Sequence, residues 1–386
     1  MTESVDPVVL KTFGLLLGTH YEIIEKCLVN LKPAELCRVA RVCKSWSKVA
    51  KSLVAKQSRP MAVICDVETN PMKEVVTTDA IKHCYEDCIG YQSTVCFSFV
   101  AEKCFQQLDL PGLRKFMSPS CRNFCVPADG IVGTKLDGTA DALLSFQFIP
   151  NNARCKFKAR LSSFLLPPVP GVEIYTFHGT TDPSAEYRFQ NEKLDSGSIA
   201  EIIPQSEKVK CAVVVAFESP ERAAEFYSDL AKRQEEPFAF GGYFASDENS
   251  MYADYGVAQS YRTLSACGIV ITGDNVEAAS VVVKTQSNKD IKESLEKLKA
   301  SNFPDKNTIC LMFSCVGRTK TAKEIKVYQS LFPNVPLTGC TGFGEFGMDC
   351  FAGNDRDQPS LNKKIKEEKS MLHSFASVYV MIHWKI

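Results

Sequence analysis

One cysteine follows directly on a strand-like run and could serve as a nucleophile or be modified. Cys315 comes after the apolar run 308–314 and precedes Gly317 and Arg318. α/β proteins place ligand-binding loops just beyond strand ends, and a neighbouring arginine would favour the thiolate and so lower the pKa of the thiol. A catalytic cysteine also requires a base, and none of the five histidines lies in a recognisable nucleophile signature. We therefore predict no catalytic residue and retain Cys315 as a candidate for modification by electrophiles.

A glycine-rich run further along the chain could bind a dinucleotide. Gly342, Gly344 and Gly347 fit the spacing of the dinucleotide fingerprint and follow a possible strand at 336–338. That fingerprint requires a helix to begin at its end, because the free amides and the dipole of the helix hold the pyrophosphate. Residues 348–355 show no helical periodicity and contain further turn residues. We therefore interpret the run as a glycine-built turn and predict no cofactor.

A histidine and several cysteines lie close enough in sequence to raise the possibility of a zinc site. His83, Cys84 and Cys88 are near neighbours, and Cys121 and Cys125 form a second pair. Structural zinc sites use two pairs of ligands spaced by two to four residues, and both pairs satisfy that spacing. However, 32 residues and a strand-like run separate Cys88 from Cys121. We predict ordinary half-buried cysteines and no metal.

The composition argues against several classes of partner. Lys plus Arg and Asp plus Glu each total 45 in 386 residues, so we expect neither a nucleic-acid nor a membrane partner. The charge is uneven, because residues 1–60 hold ten basic and five acidic side chains, which would suit an acidic partner. The apolar stretch within residues 1–20 is broken and too short to span a bilayer. The 17 cysteines lie in apolar runs rather than around loops, so we expect a reducing compartment and cytoplasmic and nuclear localisation.

The pattern of the chain changes at Pro60, and the residues before it are predicted to form a small all-helical module. Between Tyr21 and Leu53 apolar residues recur at steps of three and four, and Pro33 suits the first position of a new helix. Two or three short helices follow from this pattern. About 35 residues cannot enclose a core of their own, yet apolar side chains occur on more than one face. We therefore expect these helices to bury apolar surface against a partner.

The chain after Pro60 is predicted to be a larger α/β body with a mixed sheet. Short β-rich runs alternate with helical stretches. A strand, a helix and a second strand ending in glycine recur at 211–242, at 308–339 and more loosely from 95 to 130 or 133. Such units form parallel strand pairs, although any α/β chain yields some echoes of this kind, so internal repetition is a hypothesis. We expect a break near 180–208 and hence domains at 1–60, 61–205 and 206–386.

Residues 21–46 resemble the F-box family. That family pattern has an apolar helix, a Leu-x-Pro-x-x-Leu step and a basic helix reading Val-Cys-x-x-Trp, and the matching residues here are Leu31, Pro33, Leu36, Val42, Cys43 and Trp46. The sequence departs from the family at 18–20, where the usual Leu-Pro is replaced. The resemblance implies that a Skp adaptor is bound by Ile23, Ile24, Leu28, Leu31, Pro33, Leu36, Val42 and Trp46. The alternative is that the helices simply pack on the α/β body.

The remaining chain is similar to the FIST region that follows the F-box in the F-box only protein 22 family. The resemblance is carried by residues 168–178, 298–318 and 331–349, whereas 70–120 match poorly. It implies a FIST N-like α/β region at 61–205 and a FIST C-like α/β region at 206–386. Substrate contacts within 70–120 cannot be transferred from the family.

Together these resemblances imply a function in which the chain itself catalyses nothing. The F-box would bind the Skp adaptor and, through it, a cullin-RING scaffold, making this chain the substrate-recognition subunit of a ubiquitin ligase. It would recruit target proteins for ubiquitination and proteasomal degradation. FIST regions elsewhere are thought to sense small ligands, so the alternative is a ligand-sensing module without a ligase role. The loop residues for a ligand or substrate would then be Gly241, Gly242, Cys315, Gly317, Arg318, Gly342, Gly344 and Glu345.

Overall fold

The computed structural model describes the helical module and most of the body. The described residues are 15, 20–31, 33–57, 60–69, 93–101, 117, 121–134, 140–144, 157–180, 188–189, 192–193, 203–217, 219–245, 251–254, 258–261, 264–351 and 371–385. Helices within them are α1 (Tyr21–Leu28), α2 (Pro33–Val39), α3 (Lys44–Gln57), α4 (Glu221–Ala231), α5 (Asn288–Lys299) and α6 (Thr321–Leu331). None of these helices is long and apolar enough to cross a membrane.

Twenty strands follow the helical module or lie between the later helices in the described part of the chain. They are β1 (Met61–Thr69), β2 (Val95–Ala101), β3 (Arg122–Ala128), β4 (Gly130–Thr134), β5 (Ala140–Leu144), β6 (Phe157–Leu166), β7 (Val172–Thr180), β8 (Arg188–Phe189), β9 (Glu192–Lys193), β10 (Val209–Ala216), β11 (Ala239–Phe244), β12 (Met251–Asp254), β13 (Ala258–Tyr261), β14 (Leu264–Gly273), β15 (Val276–Val283), β16 (Thr308–Cys315), β17 (Leu337–Gly342), β18 (Gly344–Gly347), β19 (Leu372–His373) and β20 (Ser377–Trp384). The predicted α/β class, with a short helical module ahead of a mixed-sheet body, is confirmed.

The strands form three mixed sheets. Their orders are β1-β6-β2-β3-β12-β13 in the first sheet, β19-β18-β11-β10-β14-β7-β8-β9 in the second and β15-β20-β16-β17-β4-β5 in the third. The central strands are buried along their length, as β16 and β20 show. Strands covered on both faces are continuously apolar rather than alternating, which explains why runs such as 308–314 predict strands.

Each sheet contains one parallel pair in the predicted arrangement. β2 pairs with β3, β10 with β11, and β16 with β17. The first strand of each pair is flanked on its other side by an antiparallel strand, which is β6, β14 or β20. α4 lies between β10 and β11 in sequence, and α6 lies between β16 and β17. The three predicted parallel pairs are therefore present, although 102–116 and 118–120, which belong to the connection from β2 to β3, lie outside the described residues.

The strands that follow each parallel pair in sequence join a different sheet, and the three sheets are linked in a cycle by these strands. The sequence did not predict this arrangement. β4 and β5 follow the first sheet's parallel pair in sequence, but β4 pairs with β17 of the third sheet. β12 and β13 follow the second sheet's pair, but β12 pairs with β3 of the first. β18 follows the third sheet's pair and pairs with β11 of the second. Each sheet is therefore completed by a segment that belongs in sequence to another.

The largest hydrophobic cluster lies where the three sheets meet. It contains Phe99 of β2, Tyr243 of β11 and Phe313 of β16. Their ring centroids are 6.0 Å apart for Phe99 and Tyr243, 5.9 Å for Phe99 and Phe313, and 6.1 Å for Tyr243 and Phe313. The Tyr243 hydroxyl donates to the carbonyl of Pro127 at 2.6 Å. Three aromatic rings therefore fill the centre of the body.

The predicted domain limits at 60 and 205 stay predictions. α3 ends at Gln57 and β1 begins at Met61, so a short connection spans the first limit. The second limit falls between β9 and β10. Every sheet includes strands from both sides of 205, so the two halves of the body are interleaved.

Candidate functional site

The helical module builds a small hydrophobic cluster of its own. This cluster joins Ile24 and Leu28 of α1, Leu36 of α2, and Val49 and Leu53 of α3, and it contains no strand residue among the described ones. Ile24 and Leu36 are fully buried. The expectation that the module has no core of its own is therefore wrong, because three short helices packed together can enclose a few side chains without a sheet.

The predicted adaptor-binding residues divide into buried and exposed groups. Ile24, Leu28 and Leu36 lie inside the cluster, while Leu31 and Trp46 pack against it and are partly buried. Of the others, Ile23 is 39% exposed and Val42 is 64% exposed. Pro33 is the first residue of α2, and its side chain lies outside the described set. The buried group holds the helices together, so direct contact with a partner is open to the exposed group.

Sequence reasoning missed two further exposed apolar residues on this module. Tyr21 and Val29 are each 47% exposed. Together with Ile23 and Val42 they form what we call the apolar docking residues. Helical periodicity could have found Val29, which follows Leu28 directly and so lies off the face of Ile24 and Leu28. It could not have found Tyr21, which lies three residues before Ile24 and therefore falls at the spacing of the buried face. Clustered exposure of large apolar side chains marks interaction sites.

Cys315 ends β16 and lies almost buried, with 7% of its surface exposed. Burial raises the pKa of its thiol, the nearby Glu345 carboxyl group raises it further, and backbone N–H groups of Gly317 and Phe375 act in the opposite direction. Gly317 leaves room for the Phe375 ring, because a Cβ atom at that position would lie 2.6 Å from the ring. The thiol is therefore protonated at neutral pH.

Arg318 does not lower the pKa of that thiol, so this expectation is wrong. Its side chain is 1% exposed, and its Nη2 lies 2.7 Å from Glu324 Oε2. The same guanidinium donates to the carbonyls of Phe375 at 2.6 Å, Thr285 at 2.8 Å and Val283 at 3.3 Å. Its charge and donors are engaged with these groups, which sequence spacing alone could not show.

Glu345 is the most unusual ionisable group beside Cys315. It lies fully buried on β18, and its Oε2 accepts a hydrogen bond from the Ala376 backbone N–H at 3.2 Å. Burial raises its pKa to about 8, although that N–H, the Cys315 thiol and Arg318 lower it. Its Oε1 has no hydrogen-bond partner among the described residues. A buried carboxyl oxygen without a partner is costly and rare.

Phe375 contributes an exposed aromatic ring beside Cys315 and Glu345, and its backbone conformation is strained. It has a φ of 60° and is 58% exposed. Bulky residues rarely adopt the left-handed region, and such residues cluster at functional sites. Phe343, which follows Gly342 at the end of β17, is also 52% exposed. Cys315 pairs with Gly342 in register, so these features lie at one end of the β16–β17 pair.

The predicted loop residues are brought together only in part. Five of them lie together at the end of the β16–β17 pair: Cys315, Gly317, Arg318, Gly342 and Glu345. Gly344 begins β18 next to it.

The remaining two glycines of that prediction lie inside β11. A Cβ atom on Gly241 would lie 2.4 Å from Val380 Cγ2, and one on Gly242 would lie 1.8 Å from the Val214 carbonyl oxygen. Both positions are buried. They permit close packing of strands and line no open surface.

The glycine run at 342–347 is followed by no helix. Gly342 ends β17 and Gly344–Gly347 forms β18, with Phe343 at the bend between them. The described residues from 348 to 351 are also non-helical. The run lacks the helix N-terminus that a pyrophosphate requires.

The residues with the spacing of zinc ligands are described only in part. His83, Cys84 and Cys88 lie outside the described residues. Cys121 and Cys125 are buried, and neither forms a disulfide with another described cysteine. Across the described part of the chain, no three His, Cys, Asp or Glu side chains are grouped so as to hold a metal ion.

Comparison with known proteins identifies both regions. Residues 20–57 match the F-box domain model, and residues 223–348 match the FIST C domain model. The two matches agree with the F-box and FIST C-like resemblances found in the sequence. It is similar to F-box only protein 22 of Homo sapiens, at 24% identity, and of Pongo abelii, at 23% identity. Both alignments cover 98% of this chain and 96% of the relative.

One solved structure shows a more distant likeness. Cyanuric acid hydrolase from A. caulinodans matches 85% of this chain and 100% of its own, with 10% identity and a TM-score of 0.33. A likeness at that TM-score supports no argument about this chain.

Proposed function

We propose that this chain is the substrate-recognition subunit of a Skp/cullin/F-box ubiquitin ligase and catalyses no step itself. The proposal rests on the agreement in position between the family match and the helical module. The F-box match at 20–57 covers the same residues as the self-contained helical cluster and its four apolar docking residues. Apolar residues left exposed on a small folded module favour a protein partner.

The adaptor would bridge this module to the cullin-RING scaffold, and the α/β body would hold the target protein. Ubiquitin transfer then depends on local concentration and orientation, which a receptor raises without chemistry of its own. Recruitment for ubiquitination and proteasomal degradation is part of the proposal, as is action in the cytoplasm and nucleus.

Co-expression with a Skp adaptor tests the docking surface. We expect wild-type chain to purify with the adaptor at equal stoichiometry, and Ile23→Asp or Val42→Asp to lose it, because each puts a charge into an apolar contact while leaving the cluster intact. Phe343→Asp is the matched control, since it places the same charge on an exposed apolar residue of the body. Ile24→Asp should also lose the adaptor, but by unfolding the module.

A stable complex with both exposed variants would contradict the proposal. Equal loss with Phe343→Asp would do so too, because the effect would then not be specific to the module. For substrate recruitment, proximity labelling in cells should enrich target proteins with the wild-type chain, and their ubiquitination should fall with Ile23→Asp.

A ligand-sensing role is the second candidate, and the unpartnered Oε1 of buried Glu345 favours it. A ligand with a polar hydrogen-bonding group would satisfy this oxygen between Cys315 and the exposed Phe343 and Phe375. Native mass spectrometry of the purified chain should then show a bound small molecule that Glu345→Gln removes. Identical spectra for both proteins would contradict this role and leave the adaptor proposal untouched.

A further inference from the structure

The second sheet ends in a short strand whose outer edge is open. β19 is the last strand of its sheet and pairs only with β18 among the described strands. The Gly347 N–H donates to the Met371 carbonyl at 3.1 Å, and Phe346 pairs with Leu372. Because hydrogen-bonded and non-hydrogen-bonded pairs alternate between antiparallel strands, the N–H and C=O of Leu372 point away from β18. They are a donor and an acceptor for one more strand.

An edge of the third sheet is closed by comparison. Ser280 of β15 exchanges two backbone hydrogen bonds with Cys350, at 2.7 and 2.8 Å, and the Val282 N–H donates to the Asp349 carboxyl group at 2.8 Å. The segment after β18 therefore covers the outer side of β15. No described strand covers β19 in this way. β19 also has neither proline nor lysine, the residues that often protect an edge.

A groove runs beside this open edge, between β19 and α4. It has a volume of 490 Å³ and is lined by Leu372 and by one face of α4. Ala224 and Ser228 are the small residues of that face, and Ala224 and Leu372 both pack against the hydrophobic cluster beneath. Short side chains at these positions leave room for a peptide backbone. We call this site the edge groove.

The helix side of the edge groove is mainly acidic. Glu221, Glu225 and Asp229 follow one another at steps of four residues and so form a row along α4, while Lys232 is the one basic residue in the lining. Like charges at this spacing repel one another. Asp229 lies in the last turn of α4, where the helix dipole favours a cation, and that turn contains no basic residue. A cationic ligand would therefore relieve both unfavourable interactions.

Local ion pairs neutralise this acidic row only in part. Arg222 Nη1 lies 3.0 Å from Glu225 Oε2, and Lys232 Nζ lies 3.1 Å from Asp229 Oδ1. All four side chains are about half exposed or more, and exposed pairs of this kind contribute little to stability. They can therefore be exchanged for pairs with a ligand at small cost.

We propose that the edge groove binds an extended, basic segment of a partner protein, which adds a strand to β19. Main-chain hydrogen bonds to Leu372 would hold the segment, and the side chains of alternate residues would face α4. Such side chains are about 6.8 Å apart, and successive members of the acidic row are about 6 Å apart along the helix axis. Lysine or arginine at alternate positions therefore fits the row. Because β19 is short, these side chains supply most of the specificity.

The charge of the edge groove disfavours other ligands. Nucleic acids and anionic membranes would be repelled by the acidic row. A single metal ion is a poorer match, since no three His, Cys, Asp or Glu side chains of the described residues are grouped to hold one. The edge groove lies on the body, so the inference goes beyond adaptor binding and does not depend on it.

Fluorescence anisotropy with the full chain and a labelled peptide of alternating Lys and Thr is the direct test. The groove variant combines Glu225→Gln and Asp229→Asn. The matched control combines Glu293→Gln and Glu296→Gln on α5, whose carboxylates also pair with basic residues of their own helix, at 3.8 and 3.7 Å. We expect saturable binding to wild type, roughly tenfold weaker binding to the groove variant, and binding to the control within about twofold of wild type. Equal binding to the two variants would overturn the proposal.

Two N-methylated peptides test the addition of a strand. In an added strand, alternate residues turn their N–H groups towards β19 and the others turn theirs to solvent. Methylating the amide of every Lys or of every Thr should therefore remove measurable binding in one case and spare it in the other. If both methylated peptides bind like the parent peptide, or if neither binds, strand addition is wrong.

Folding, charge and adaptor binding are separate readouts. The groove variant should melt within a few degrees of wild type, because it loses only exposed ion pairs, so a loss of peptide binding is then assigned to the edge groove. Binding should weaken severalfold between low and high salt, and equal binding of a peptide with Glu in place of Lys would contradict the role of the acidic row. Ile23→Asp should lose the adaptor and still bind the basic peptide, so either proposal can fail alone.

Discussion

Arg318 joins three separate segments through one buried side chain. It pairs with Glu324 of α6 and donates to carbonyls at the end of β15, just after β15 and before β20. Removing one partner of a buried pair leaves an uncompensated charge. We expect Arg318→Ala to lower the free energy of unfolding by about 3–5 kcal/mol in urea denaturation.

The exposed pair Arg222 and Glu225 is the matched control for that substitution. Its two atoms lie 3.0 Å apart across one turn of α4, and both side chains are largely exposed. Arg222→Ala should change the free energy of unfolding by less than about 0.5 kcal/mol. Similar losses from both substitutions would show that burial of Arg318 is unimportant.

Glu345 makes stability depend on pH in the direction opposite to an ordinary carboxylate. Its folded pKa is raised to about 8 from 4.5, so between these values the folded chain holds a proton that the unfolded chain has lost. Its contribution is therefore fully present below pH 4.5 and is lost as pH rises through 8. Glu345→Gln should remove this loss, making the variant more stable relative to wild type at pH 8 than at pH 5 in thermal melts.

The same substitution should change the reactivity of Cys315. The Glu345 carboxyl group is a secondary cause of the raised thiol pKa, after burial. Glu345→Gln should shift the pH midpoint of Cys315 alkylation downwards, which mass spectrometry of iodoacetamide-treated protein can follow. Cys267 is buried within β14 and its thiol pKa is raised by burial alone, so its reactivity should not change. An unchanged midpoint at Cys315 would show that the two groups act independently.

At the scale of elements, glycines set how closely parallel strands approach. Gly339 of β17 has a φ of 150°, and a Cβ atom there would lie 1.9 Å from the Met312 carbonyl oxygen of β16. Gly339→Ala should therefore push the two strands apart and lower the free energy of unfolding by roughly 2 kcal/mol or more. Gly344→Ala is the control, because its nearest neighbour would be 3.9 Å from the new Cβ atom.

Elements with strong local signals could be predicted from the sequence. β10, β16 and β20 are continuously apolar, and α5 places Ile291, Leu295 and Leu298 on one buried face. β6 was missed because polar residues such as Ser162 and Ser163 interrupt it; these form buried hydrogen bonds to Thr338 and Ser98. Such partners lie far away in sequence, so local periodicity cannot reveal them.

The sequence predicted most of the residues of the candidate site, but it predicted their roles less well. Cys315 and Glu345 do meet, whereas Gly241 and Gly242 support strand packing. Arg318 was assigned to the thiol because it is near in sequence, but its carbonyl partners come from other segments. Ile23 and Ile24 are adjacent, and the packing of the three helices decides that one is exposed and the other buried.

The exchanged strands make the body a single cooperative unit. We expect a fragment of residues 206–386 to aggregate when expressed alone, because β17 would lose β4 and β12 would lose β3. Unpaired edge strands promote aggregation. A fragment of residues 61–386 should instead remain soluble, since the helical cluster contains no strand residue among the described ones. Size-exclusion chromatography and thermal melting distinguish these outcomes, and a soluble, cooperatively melting 206–386 would contradict the expectation.

The exchange of strands also has a consequence during synthesis on the ribosome. The β4–β5 hairpin ends at residue 144. Its pairing partner β17, which lies beside β4, ends only at residue 342. At typical elongation rates, about 200 further residues take roughly 10–40 s to make. Throughout that interval the nascent β4–β5 hairpin has an open edge. Newly made chains should therefore depend on chaperones that shield such edges until translation is nearly finished.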